Sequence, residues 1–146
     1  MIDFVIVKYI HFLGVFSVVG ALSAELMLLK KVMSRKEISL LSRVDMIYGI
    51  GTVVVMSAGF ALWFAIGKPA SFYSGNWIFI AKIGLFGLVG VLSILPTVFF
   101  LKNRKGDQDE MVDIPCKIKT LIVLECALLT LIPLCAVLMA NGIGTF

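Results

Sequence analysis

The chain has 146 residues, of which 60% are hydrophobic and 15% charged, with a mean hydropathy of +1.07 and a formal net charge of +4. So few polar residues cannot coat a water-facing surface, which excludes an ordinary soluble domain and points to one integral membrane domain. The positive balance reports topology and not nucleic-acid binding, because ten of the thirteen Lys and Arg residues lie in two short segments between apolar runs.

The first apolar run, Phe4 to Leu29, is long enough to cross a bilayer and holds the only histidine, His11, together with a carboxylate, Glu25. It lacks a basic leading segment, so we expect a retained membrane helix and not a cleaved signal. His11 and Glu25 are 14 residues apart, a spacing that returns to within about 40° of one helix face and rises about 21 Å. They share a stripe but belong to opposite leaflets. Gly14, Val18 and Ala21 lie between them on that stripe and allow close approach by a neighbouring helix or a flat ligand.

Lys30, Lys31 and a short polar connector over Ser34 to Ser39, expected to be helical in part, lead to a second helix over about 44–66, with Asp45, Tyr48, Gly49 and Gly51 in its first half. The segment Gly67 to Asn76 has turn chemistry and brings Phe72, Tyr73 and Trp77 to interfacial depth. A third helix over about 77–101 carries Lys82, three glycines and Pro96; a fourth over about 118–140 carries Glu125 and Pro133. Lys30, Lys31, Arg35, Lys36 and Arg43 flank one end, as do Lys102, Arg104, Lys105, Lys117 and Lys119. The positive-inside rule then places these segments in the cytoplasm and both termini outside, with the membrane crossed four times. The expected fold is all-α, an antiparallel four-helix transmembrane bundle in a single domain. Cys116, Cys126 and Cys135 are an odd set read as free thiols.

Alternating helix direction sorts the ionisable groups into two tiers. His11 and Lys82 fall in the outer half, and Glu25, Asp45 and Glu125 in the inner half on three different helices. An ionisable group inside a membrane span is a functional candidate by default. His11 suits an axial ligand to haem iron, or a hydrogen-bonded structural role. Lys82 suits a second ligand, a cation paired with an anion such as a propionate, or a snorkelling side chain. The acidic tier could bind a proton or a hard cation, or pair with Lys30 or Arg43. No phosphate loop and no nucleophile, base and orienter set is present.

The Lys-Tyr-Ile-His11-Phe-Leu-Gly segment, with Trp77 five residues before Lys82, resembles the HemJ and CopD-like group of small bacterial membrane proteins. That resemblance implies haem b bound by His11, Trp77 and Lys82, a haem-dependent oxidoreductase or porphyrin-handling role, and the bacterial inner membrane as location. HemJ also carries an important arginine about a dozen residues after its histidine, and here Ser23 stands near that point. Over nearly its whole length the chain also resembles an uncharacterised family of bacterial membrane proteins, through Asp45-Met-Ile-Tyr48-Gly49 and Leu92-Ser-Ile-Leu-Pro96-Thr97. The leading expectation is a haem-binding membrane protein with a redox or porphyrin-handling role. Its rivals are a non-enzymatic proton or metal-cation carrier using Glu25, Asp45 and Glu125, and a structural subunit. The lipid bilayer, haem or porphyrin, and further copies of the chain are the expected partners.

Overall fold

The computed structural model describes residues 1–145. Four long helices dominate: α1 (Ile2–Leu28), α2 (Arg35–Ala61), α4 (Trp77–Asn103) and α5 (Cys116–Ala140). The short helix α3 (Ala70–Ser74) lies between α2 and α4, and two three-residue strands, β1 (Val32–Ser34) and β2 (Met111–Asp113), occupy the two connectors that carry the basic residues. Helix α1 packs on α2, α2 on α4, α4 on α5, and α5 closes the ring on α1. All four are long and apolar enough to cross a membrane. Their outward faces carry Phe16, Met27, Val53 and Val91, each more than 60% exposed. A surface of this kind is stable against lipid tails and not against water.

Helices α1, α4 and α5 begin and end within two residues of the spans expected from hydropathy, and α2 differs most. It starts at Arg35 instead of near residue 44, because Ser34 and Glu37 form a capping box. The Glu37 amide donates to Ser34 Oγ at 3.3 Å, and the Ser34 amide donates to the Glu37 carboxylate at 2.9 Å. Two of the donors that a helix start leaves unpaired are thereby satisfied, and the polar connector becomes helix. At its far end α2 continues as a π-helical turn over Leu62–Ile66. Gly67 ends that turn where a Cβ would lie 1.8 Å from the Leu62 carbonyl oxygen, so no side chain fits there.

The α1–α2 interface is close because glycine faces valine in both directions. A Cβ on Gly14 would meet Val55 Cγ2 at 2.9 Å, and one on Gly51 would meet Val18 Cγ2 at 3.1 Å. Small residues supply this approach in a membrane, where no hydrophobic force pushes helices together.

The two ends of the bundle are tied by different means. At the basic end β1 and β2 pair antiparallel, Met33 opposite Val112, which joins the α1–α2 hairpin to the α4–α5 hairpin. Arg35 reinforces the junction by donating to Glu110 at 2.7 Å and to the Asn103 carbonyl at 2.9 Å. The guanidinium beside it holds the Glu110 carboxyl below its ordinary range. Beneath the sheet lies the tightest part of the core, where Ile38, Leu41, Phe100 and Ile122 are fully buried. At the opposite end Asn76 is the organiser. Its Oδ1 accepts from the Ile78 and Phe79 amides and caps α4, while its Nδ2 donates to the Ile143 carbonyl at 2.9 Å. The Trp77 amide donates to the Gly144 carbonyl at 3.0 Å, so the C-terminal segment is strapped across the start of α4.

Candidate functional site

Tyr48 and Asp45 are three residues apart on α2 and therefore share one face of it. Both point into the bundle, with 4% and 6% of their surface exposed. Glu25 from α1 and Glu125 from α5 meet them there, each 1% exposed. The three carboxyl groups are close enough to act on one another electrostatically. The acidic tier is thus a cluster inside the bundle, and of the two alternatives read from the sequence the pairing with Lys30 or Arg43 does not form. Lys30 bonds Glu37 at 2.6 Å, and Arg43 is exposed.

Neutral hydroxyl groups, not cations, serve the cluster. Thr97 on α4 donates to Asp45 Oδ1 at 2.9 Å, and Tyr48 donates to Glu125 Oε2 at 3.3 Å. Ser93 stands beside the Tyr48 hydroxyl and donates to the Gly90 carbonyl at 2.7 Å. Oε1 of Glu25 and Oε1 of Glu125 are fully buried with no hydrogen-bond partner. A buried polar atom without a partner costs about 1–3 kcal/mol, so each such atom in a native fold calls for an explanation. Among the described residues no three His, Cys, Asp or Glu side chains converge closely enough to hold a metal ion.

Tyr48 and Thr97 were legible as parts of the Asp-x-x-Tyr-Gly and Leu-Ser-x-x-Pro-Thr segments, but their role was not. The two segments meet at the acidic cluster, from α2 and α4 respectively. The signal available in the sequence was the i, i+3 spacing of Asp45 and Tyr48, which puts both side chains on one face of a membrane span but does not show that the hydroxyl meets Glu125 on α5.

The second tier is looser. His11 is half-buried between α1 and α2, and its Nδ1 donates to the Val55 carbonyl at 3.1 Å. The ring lies against α2 at Gly59, where an added Cβ would make an ordinary contact 3.5 Å from His11 Cε1. Lys82 is half-buried, with Nζ 5.0 Å from the centre of the Phe79 ring, and lies near His11 and Cys135. Trp77 is 55% exposed, so much of its ring lies on the outer surface of the bundle. The three cysteines are unpaired, Cys116 at the surface and the others half-buried in α5.

No curated protein and no solved structure matches this chain. One family model does, over residues 4–144, and its description is a predicted membrane protein, DUF2214. That match takes in all four helices and both tiers, and the chain belongs to this family of multi-pass membrane proteins.

Proposed function

We propose that the protein is a non-enzymatic proton carrier of a bacterial inner membrane, in which Glu25, Asp45 and Glu125 take up and pass on protons. The observation that supports this most directly is the pair of buried oxygens without partners, Glu25 Oε1 and Glu125 Oε1. Three carboxyl groups in an apolar interior, bonded to no lysine or arginine, carry fewer than three negative charges between them. The cluster therefore shares protons, and an oxygen with no donor is where an arriving proton binds. Tyr48 and Thr97 can donate to a carboxylate and accept from a carboxylic acid, so they serve the cluster in either state. A proton fits this site better than a metal cation, which needs a converging set of oxygen ligands. The positive-inside rule orients the basic end toward the cytoplasm, with both termini outside.

Proton flux into liposomes containing the purified protein and a trapped pH dye tests the reading. Flux should be lost in Glu25→Gln and kept in Glu110→Gln, whose carboxyl lies outside the bundle. Equal flux in Glu25→Gln and wild type would refute it.

The outer tier favours a second reading, haem b held at His11. Its Nδ1 is occupied by the Val55 carbonyl, which fixes the ring and leaves Nε2 as the ligating nitrogen, the arrangement metal-bound histidines use. Lys82, in the same outer tier with Nζ 5.0 Å from the centre of the Phe79 ring, would supply the cation for an anionic substituent. Haem would supply one-electron chemistry, and the chain's part would be to ligate and orient it. Oxidised and reduced absorption spectra of protein from a haem-replete host decide this, with His11→Ala as the control.

A further inference from the structure

Away from both tiers, the basic end carries a groove of about 260 Å³ between the last turns of α4 and the first turn of α5. Its floor is apolar, made by Leu95, Val98, Phe99 and Ile118, and Lys102 and Lys117 stand at its mouth. Leu95, Val98 and Lys102 follow helical spacing along α4, so the groove runs from membrane depth up to the level of lipid headgroups. The two ion pairs among the described residues are Lys30 with Glu37 and Arg35 with Glu110; neither groove lysine is engaged. Helix α5 also begins here, at Cys116, without a side-chain cap on its first turn. An uncapped start of a 25-residue helix presents free N–H groups and a positive dipole end.

We propose that this groove binds one anionic phospholipid of the adjacent leaflet, with its phosphate between Lys102 and Lys117 at the start of α5 and an acyl chain along Leu95 and Val98. Each part of the site matches one part of that ligand. The lysines and helix start recognise a phosphate diester, and the apolar floor extends from them in the direction an acyl chain takes into the bilayer. A zwitterionic lipid offers the same chain but brings a cation to two unpaired ammonium groups. A soluble phosphate offers the charge but leaves the floor uncovered. The occupant is therefore a lipid with net negative charge, and a tail in the groove would fill the gap between α4 and α5.

Native mass spectrometry of the full chain in mild detergent, titrated with dioleoylphosphatidylglycerol, tests this. One lipid should bind ahead of all others, with phosphatidylcholine of the same chains binding about 25-fold more weakly, as two lysines each contributing about fivefold require. Lys102→Gln combined with Lys117→Gln should remove that preference. Lys31→Gln combined with Lys36→Gln, which removes as much charge from the same end, should leave binding within about twofold of wild type. Val98→Trp, which fills the floor and keeps both lysines, should also lose the lipid. Equal binding of the two lipids would overturn the proposal, as would equal losses in both double variants or unchanged binding in Val98→Trp. Displacement by glycerol 3-phosphate at concentrations matching the lipid would overturn it in favour of a free-phosphate site.

Discussion

Replacing Tyr48 with Phe removes one hydroxyl from the acidic cluster and nothing else. That hydroxyl joins α2 to α5 through Glu125 Oε2 at 3.3 Å, and the other Glu125 oxygen already has no partner. Interhelical hydrogen bonds in membrane proteins contribute about 0.6 kcal/mol on average and up to about 1.7 kcal/mol. The 3.3 Å length argues for the lower part of that range. The cost of leaving both Glu125 oxygens unpartnered argues for the upper part, since Glu125 is 1% exposed. We therefore expect Tyr48→Phe to destabilise the bundle by about 1 kcal/mol. The same change in a Glu125→Met background should cost almost nothing, because the orphaned carboxyl is gone and a side chain of similar volume fills its place. The double-mutant cycle, measured by reversible unfolding in mixed micelles with helical circular dichroism, should thus give a coupling of about 1 kcal/mol. Equal losses in the two backgrounds would show that Tyr48 acts through packing alone and would remove the hydroxyl from the cluster.

Gly14→Ala and Gly20→Ala should act in opposite directions. The first puts a Cβ 3.1 Å from the Val55 amide nitrogen and should cost about 1–3 kcal/mol, whereas the second meets nothing within 4 Å and should stabilise α1 by up to about 1 kcal/mol, both read from the same unfolding curves. Asn76→Ala should cost about 1 kcal/mol for the lost cap of α4 and should speed amide exchange at Trp77, whose partner is the Gly144 carbonyl of the strap. Glu110→Gln should lower the melting temperature at neutral pH by breaking the pair with Arg35. Because Arg35 holds the folded carboxyl below its ordinary 4.5, the pair contributes fully above that value, and the difference from wild type should close as pH falls below it.

Much of the fold could be read from the sequence because the bilayer makes one demand that hydropathy reports directly: about 20 apolar residues per helix. The four spans follow from that demand alone. It says nothing about where a helix continues past the membrane, so the start of α2 at Arg35 was hidden although Ser34 and Glu37 carry the capping pattern. The sheet at the basic end was hidden too. Three-residue strands have no periodicity to detect, and β1 pairs with a segment 79 residues away, Met33 with Val112. In the site, depth could be read from helix direction and so grouped Glu25, Asp45 and Glu125. Facing could not, since three helices must be rotated correctly before their carboxyl groups meet. The hydroxyl partners lay beyond reach for the same reason, because Thr97 serves Asp45 across a helix boundary.

The distribution of bonds along the bundle bears on how such a cluster could work. Both ends are held by bonds between chain segments far apart in sequence, the sheet and Arg35 at one and Asn76 with the C-terminal strap at the other. The middle is held mainly by packing, and its polar groups are bonded only in part. A protein that merely needed stability would invert this, because an apolar residue at Glu25 or Glu125 would remove an orphaned oxygen at no cost in packing. Under the proposed proton-carrier reading, fastened ends would let the middle exchange protons and repair its bonds without separating the helices. On this argument Glu25→Leu should stabilise the bundle while ending proton flux, and a variant that lost both stability and flux would instead make Glu25 a structural residue.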